Sequence, residues 1–298
     1  MTHDQHPNPA ANAFLALAGR GQNAWWRYLV SGIAACIFAT LMLSVLSFGL
    51  MKARLLPSDL AAQLQQPKDA PIFFLGMGVA FGALAIGLMA ATALFQRKRP
   101  GDIIGRWRWP LFFWGFGIWA GLQSVLALID FLVAPRGFSV SVSTGTGALA
   151  ISALAGLSAQ TFAEEFIFRG YITQGILLAT KRSLPAAVIS GLFFGALHIP
   201  NGIPQAINAV VFGIVCALIA IRTGGICLTF GLHLVNNLFG AVVLVSTSDV
   251  FKNSPGLLTQ NTPQLLWSDL WLTSLALLVL LWLALRDSSG AFSGGARL

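Results

Sequence analysis

The chain has 298 residues, of which 56% are hydrophobic and 9% are charged, and its mean hydropathy is +0.76. A soluble domain carries about 25% charged residues, so this composition excludes an ordinary soluble protein and predicts an all-α protein that crosses the membrane several times. The net charge of +8 then reflects orientation in the membrane and contact with anionic lipid, and we expect no nucleic-acid partner.

A helix needs about 20 mostly apolar residues to cross a bilayer. Eight apolar segments approach or exceed this length, at residues 29–51, 71–95, 110–133, 148–180, 185–199, 205–221, 226–246 and 266–285. The polar residues 1–27 predict a flexible cytoplasmic tail, and the Gly- and Ser-rich residues 287–298 predict a second one. Residues 28–286 are expected to form a single transmembrane domain.

The positively charged residues indicate how the chain lies across the membrane. If the N-terminus is inside, the inner side holds 12 Lys and Arg and the outer side holds 5, namely Lys52, Arg54, Lys68, Arg136 and Lys252. An excess of positive charge marks the cytoplasmic side. We therefore expect both termini in the cytoplasm, and the plasma membrane as the location if the source is a bacterium.

The fourth segment contains the only two glutamates of the chain, Glu164 and Glu165, followed by Arg169. Charged side chains inside a bilayer are rare and are usually functional. Glu165 and Arg169 are four residues apart on one helical face, so they fit either an ion pair that fixes helix packing or a role beside the active groups. Glu164 points about 100° away from that edge, which favours a chemical role for it.

Two histidines are the other ionisable residues within or at the ends of the apolar segments in the second half of the chain. His198 ends the fifth segment, and His233 lies in the seventh with Asn237 one turn later. Each histidine alone fits an interhelical hydrogen bond equally well. Together with Glu164 they predict water activation, because a carboxylate and an imidazole can move protons while a His or Asn side chain stabilises an oxyanion.

The other chemistries of intramembrane proteolysis fit the sequence poorly. The zinc motif His-Glu-x-x-His does not occur. Ser190-Gly191 lacks a glycine two residues before the serine, and the apolar segments contain no pair of aspartates. These observations argue against a zinc helix, a rhomboid-type serine site and an aspartate dyad.

The three motifs Glu164-Glu165-x-x-x-Arg169, Phe194-x-x-x-His198 and His233-x-x-x-Asn237 resemble those of the CPBP family, which comprises type II CAAX prenyl proteases and Abi proteins. The resemblance covers about residues 148–240. It implies an eight-helix intramembrane endopeptidase whose cavity opens toward the cytosol. By motif position, Glu164 and His198 activate water, His233 and Asn237 stabilise the oxyanion, and Glu165 and Arg169 support the site.

Two questions about this site stay open in the sequence. Glu164, His198 and His233 are an admissible zinc set, although the lack of a second carboxylate or thiol near the histidines favours a metal-free glutamate mechanism. Counted from the inner loops at 1.5 Å per residue, Glu164 lies roughly 25 Å deep and His233 roughly 10 Å deep, so the helices must tilt or break for the two to meet.

Two other functions compete with the endopeptidase. One is a non-catalytic scaffold or bacteriocin-immunity protein, which would not need Glu164. The other is a proton-coupled transporter, for which buried Glu, His and Arg are also typical, although no inverted repeat is visible. As partners we expect the lipid bilayer and a membrane-embedded or lipidated peptide or protein substrate. The sequence predicts no oligomeric state.

Overall fold

The computed structural model of the protein describes residues 9–56, 60, 64 and 70–286. Its helices are α1 (Pro9–Ala18), α2 (Trp25–Lys52), α3 (Ala70–Ala91), α4 (Pro100–Ile104), α5 (Trp109–Val133), α6 (Thr146–Glu164), α7 (Thr173–Thr180), α8 (Ser183–Ala196), α9 (Ile203–Thr223), α10 (Cys227–Leu238) and α11 (Leu266–Arg286). Three π-helical stretches extend them, at Thr92–Gln96 after α3, Glu165–Ile172 between α6 and α7, and Phe239–Val243 after α10. Short 3-10 turns occur at Pro135–Gly137, Ile199–Asn201 and Pro263–Leu265.

Six helical stretches within the described residues are long and apolar enough to cross a membrane, at 25–52, 70–96, 109–133, 146–180, 203–223 and 263–286. Two shorter apolar helices, at 183–196 and 227–243, correspond to the predicted fifth and seventh segments. The protein is therefore an all-α, multi-pass integral membrane protein, as composition predicted. The two short helices are shorter than the roughly 20 residues that cross a bilayer about 30 Å thick. The helix at 227–243 carries His233 and Asn237, and the helix at 183–196 ends two residues before His198.

The fourth span is one continuous helix of 35 residues from α6 to α7. Its length of roughly 50 Å exceeds the thickness of the hydrocarbon core, so one end projects beyond it. No proline interrupts the span. The π-helical stretch Glu165–Ile172 lies at its centre and contains Glu165 and Arg169.

The bundle is held together by a few closely packed helix pairs, in which α3 packs on α2 and α6, α8 on α9, α10 on α5, and α11 on α9. The α5–α10 pair approaches at two glycines. A Cβ atom on Gly115 would overlap the carbonyl oxygen of Leu228, and one on Gly231 would overlap that of Phe112. Small residues let membrane helices approach this closely, and here they fix the position of α10, which carries His233.

The N-terminal region differs from the flexible tail expected over residues 1–27. Residues 9–18 form α1, in which Phe14 and Ala18 are fully buried. They pack against Leu177 and Ile221, so α1 is held on the bundle. The sequence did not predict this helix because its apolar residues recur at helical spacing over only a short segment, which begins at Pro9 and is flanked by polar residues. Residues 1–8 and the predicted C-terminal tail, 287–298, lie outside the described residues.

The opposite end of the bundle carries a small sheet that the sequence did not predict. It consists of β1 (Phe138–Val140), β2 (Leu244–Ser246) and β3 (Leu258–Gln260) in the order β1-β3-β2. β3 pairs antiparallel with β1 and parallel with β2. We call this the sheet end of the bundle and the other the α1 end.

Candidate active site

Glu164 and His233 lie at the same level, although the sequence predicted different depths, because loops enter the bundle at the α1 end. Gly105 and Gly225 pair there across two loops, and Ile103 of α4 lies against Gly170 rather than against the end of α7. The Gln174 side-chain amide donates to the carbonyl oxygens of Asp102 (2.9 Å) and Ile103 (3.0 Å). The loops thus end near the middle of the fourth span, and α7 projects past them.

Glu164, Glu165, Arg169 and His233 form one buried cluster as a result. His233 Nε2 lies 3.4 Å from Glu164 Oε2, and His233 Nδ1 lies 2.8 Å from Glu165 Oε1. The same Glu165 oxygen lies 3.3 Å from Arg169 Nη1. Because Glu165 faces a guanidinium it is an acceptor, so Nδ1–H of His233 donates to it and Nε2 faces Glu164.

Arg169 is completely buried and is enclosed by aromatic rings as well as by Glu165. Its guanidinium carbon lies 4.2 Å from the centre of the Phe194 ring and 5.6 Å from that of Phe212. Both rings also contact His233, with centroid distances of 5.8 and 5.0 Å. Glu165 and the two rings thus fix Arg169 and His233 together, and this indicates a supporting position for Arg169.

His198 lies after the end of α8, where its backbone leaves the helix. Its Nδ1 is 2.7 Å from the carbonyl oxygen of Phe194, and its ring packs at a tilt against the Phe194 ring, with 4.4 Å between centroids. A carbonyl oxygen only accepts, so Nδ1 carries the proton and Nε2 of the neutral ring is left as an acceptor. His198, which follows α8, and His233, on α10, both contact the Phe194 ring.

Asn237 is held by two α6 residues that sequence reasoning missed. Its side-chain nitrogen donates to Gln160 Oε1 at 3.0 Å and to Thr161 Oγ1 at 3.3 Å. Gln160 and Thr161 precede Glu164 by about one helical turn, so Asn237 ties α10 to the turn before the glutamate. A polar residue four positions before a membrane glutamate is the sequence signal that could have identified Gln160.

Asn236, next to it, has partners on α5. Its Oδ1 accepts from Trp119 Nε1 at 3.1 Å and from Gln123 Nε2 at 3.4 Å. Trp119 is buried, and a buried indole N–H needs an acceptor. The two neighbouring asparagines therefore connect α10 to α5 on one side and to α6 on the other.

A cavity of about 560 Å³ reaches these side chains. Its lining includes the predicted site residues Glu164, His198, His233 and Asn237, together with Gln160. Glu165 and Arg169 are fully buried behind His233 and do not line it. The structure thus separates the motif residues into four that face the cavity and two that pack behind them.

Comparison with known proteins decides the family. A family profile described as type II CAAX prenyl endopeptidase Rce1-like matches residues 146–239. This segment of the chain is similar to the Rce1-like family. The matched segment runs from the start of α6 into the π-helical stretch after α10 and contains all six predicted site residues. The family expected from the three motifs is confirmed.

One curated relative covers more of the chain than the Rce1-like segment does. An uncharacterized protein, YyaK, of Bacillus subtilis (strain 168) is 26% identical over 262 residues, which is 83% of this chain and 87% of the relative. No solved structure matches the chain significantly. At the level of the family, the Rce1-like assignment indicates an intramembrane protease.

The Rce1-like site does not present a three-residue metal set in this conformation. No group of three or more His, Cys, Asp or Glu side chains among the described residues is arranged to hold a metal ion. Both histidines have an oxygen partner at Nδ1, and His233 directs Nε2 at Glu164. Glu164 and the two histidines are therefore not gathered as a zinc set among the described residues, and the metal-free mechanism stays a prediction.

Proposed function

We propose that this protein is an intramembrane endopeptidase that hydrolyses a peptide bond of a membrane-associated protein or peptide through water activated by Glu164. The observation that carries the proposal is the Glu164–His233–Glu165–Arg169 chain of contacts at the wall of a cavity. A carboxylate facing the cavity, an imidazole beside it and a second carboxylate orienting that imidazole are the parts that general acid–base hydrolysis needs.

In the proposed reaction Glu164 takes a proton from water as the water attacks the substrate carbonyl carbon, and it later gives that proton to the leaving nitrogen. His198 lines the same cavity and holds the water through Nε2, the ring atom that its bond to Phe194 leaves as an acceptor. The water thereby donates one hydrogen to each of the two groups.

His233 supplies the oxyanion donor. Nε2 of His233 and Oε2 of Glu164 would repel each other at 3.4 Å if both were bare acceptors, so a proton lies on one of them. When Nε2 carries it, the imidazolium lies between two carboxylates and can donate to the developing oxyanion. Glu165 fixes the ring through Nδ1, and Arg169 balances the charge of Glu165.

Asn237 contributes a second donor only if one of its present bonds opens. Both of its amide hydrogens point to α6, and the bond to Thr161 (3.3 Å) is the longer one. In the arrangement described, Asn237 is a positioning residue that holds the turn before Glu164 through Gln160. The oxyanion role that the resemblance implies requires the Thr161 bond to break when substrate binds.

We also propose that both termini lie in the cytoplasm, since the Lys and Arg count favours that side, and that the membrane is the plasma membrane if the source is a bacterium.

The test is a comparison of membrane-associated peptides from cells that express the wild type, Glu164→Gln or, as a control outside the site, Arg20→Ala. The amide keeps the shape of Glu164 but cannot accept a proton, so cleavage products should fall by about 10²–10⁴ with unchanged protein level. Arg20→Ala should leave them unchanged. If Glu164→Gln produces the same peptides as the wild type, the catalytic assignment is wrong and a non-catalytic scaffold is favoured.

A further inference from the structure

The large cavity reaches one end of the bundle among the described residues. Its described lining includes Phe73 at the start of α3, Asp249 and Val250 in the loop after β2, and Thr273 near the start of α11. All of these belong to the sheet end. None of the described lining residues lies on α1, α4 or α7, at the opposite end.

The α1 end is closed by packing. Gly105 and Gly225 meet there so closely that a Cβ atom on Gly105 would overlap the carbonyl oxygen of Gly224. Ile103 is buried against Gly170, the residue that follows Arg169 in the chain. The cavity therefore connects Glu164 with the sheet end, where Val250 in its lining is 43% exposed.

This geometry makes two expectations from the sequence incompatible. The resemblance implies a cavity open toward the cytosol, and the count of Lys and Arg implies cytoplasmic termini. The structure places the cavity mouth and α1 at opposite ends of the bundle, so only one of these expectations holds.

The distribution of charge at the two ends favours the cytoplasmic termini. Among the described residues, 11 Lys and Arg lie at the α1 end, and 4 lie at the sheet end, namely Lys52, Arg54, Arg136 and Lys252. The remaining described basic residue, Arg169, is within the bundle. The α1 end is therefore the cytoplasmic end by a wide margin.

We propose that the cavity opens on the non-cytoplasmic face of the membrane and that its substrates are exported polypeptides, anchored in or bound to the outer leaflet, whose cleaved segment is neutral or basic. The choice of substrate rests on the proposed peptidase function, whereas the direction of the opening does not.

The acidic residues that line the cavity support a cleaved segment that is neutral or basic. Glu164 and Asp249 line the cavity, and a neighbouring cavity of about 230 Å³, which shares Asp249 and Asn208 with it, adds Asp130 and Asp269. No Lys or Arg is among the described lining residues of either cavity. Lining carboxyl groups without a Lys or Arg partner give an acidic segment no group to pair with, so a neutral or basic segment fits these cavities better.

The direction is tested by labelling single introduced cysteines in intact cells with a membrane-impermeant maleimide. Val250→Cys reports the cavity mouth, and Leu257→Cys, at a site 40% exposed, is a second reporter of the sheet end. Gly101→Cys reports the α1 end, where nothing lies within 4 Å of a Cβ atom at this position. The three native cysteines lie within helices, so the unmodified chain serves as the blank.

We expect Val250→Cys and Leu257→Cys to be labelled in intact cells and Gly101→Cys to be labelled only after the membrane is permeabilised. The reverse pattern would overturn the proposal and restore a cavity that faces the cytosol. Because labelling needs no activity, this result stands even if the protein cleaves nothing.

The substrate class is tested separately by sequencing the peptides that wild-type cells release and Glu164→Gln cells do not, from the medium and from the cytosol. We expect their parent proteins to be exported and the residues around the cut to be neutral or basic. Peptides cut from the cytoplasmic part of their parents, or within acidic segments, would contradict the proposal. Peptides that do not depend on Glu164 would instead reject the proposed peptidase function.

Discussion

Replacing Glu165 by alanine tests how the buried cluster is stabilised. Arg169 has no solvent-exposed surface, and Glu165 is the carboxylate within ion-pair distance of it, at 3.3 Å. Removing Glu165 leaves a guanidinium between the rings of Phe194 and Phe212, and it also takes the acceptor from Nδ1 of His233. Breaking a buried ion pair from one side costs about 3–5 kcal/mol, so Glu165→Ala should lose this much stability.

Replacing the other partner of the pair, Arg169→Met, should lower the stability by less than Glu165→Ala does. It leaves Glu165 buried, but Nδ1 of His233 still lies 2.8 Å from its carboxylate, and the imidazolium form of His233 balances its charge. The double change Glu165→Ala with Arg169→Met should lose less than the sum of the two single changes, with a coupling of about 1–3 kcal/mol.

The measurement is reversible unfolding in mixed detergent micelles for the wild type, both single variants and the double variant. Arg20→Ala is the matched control, because its ion pair with Asp102 has a similar distance of 3.0 Å but its side chain is 65% exposed. An exposed pair contributes about 0–1 kcal/mol. If Glu165→Ala lost no more stability than Arg20→Ala, or if the two single changes were strictly additive, the cluster would not be held by this pair.

Three other predictions concern turnover, metal content and pH. His233→Ala should lower kcat by about 10²–10³ with a smaller change in KM, because its proposed partner exists only in the transition state. Asn237→Ala should behave like Gln160→Ala if Asn237 acts through Gln160, and a distinctly larger loss of kcat for Asn237→Ala would establish the oxyanion role. Active, chelator-washed protein should contain no stoichiometric zinc by elemental analysis, and zinc that rises and falls with activity would refute the glutamate mechanism. Burial lowers the pKa of Lys98 from 10.5 to about 8. Between these two pH values the unfolded chain binds more protons than the folded chain, so the free energy of unfolding should rise with pH. Unfolding measurements from about pH 7 to pH 10 should show this rise for the wild type, and Lys98→Met should abolish it.

The membrane spans could be predicted from the sequence because bilayer thickness and backbone hydrogen bonding leave few choices. Each of the eight apolar segments coincides with a helix, and the family follows from motifs on three of them. The elements that were missed have a different origin. The strands of the sheet are three residues long, and β1 lies more than 100 residues from its partner β3 in the sequence, so no local pattern indicates them.

The contacts of the candidate site were predictable only in part. The spacing of Glu165 and Arg169 on one helix predicted their pairing, because neighbouring turns of a helix always meet. The approach of His233 to Glu164 depends on loops that enter the bundle at Gly105 and Gly225, which hydropathy does not reveal. The bonds of Asn237 to α6 likewise depend on how two distant helices face each other.

The π-helical stretch Glu165–Ile172 determines where homologous chains can lose one residue from the fourth span. A π-helical turn is what one inserted residue produces when the α-helices on both sides keep their orientation. Loss of one residue within the stretch would therefore restore a regular α-helix without turning α6 against α7, so Glu164 and Gln174 would keep their partners. The same deletion in α9, which is α-helical throughout, would rotate everything beyond it by about 100°. Homologues that differ by a single residue in the fourth span should accordingly differ within this stretch, and their sequences should be aligned with the gap there.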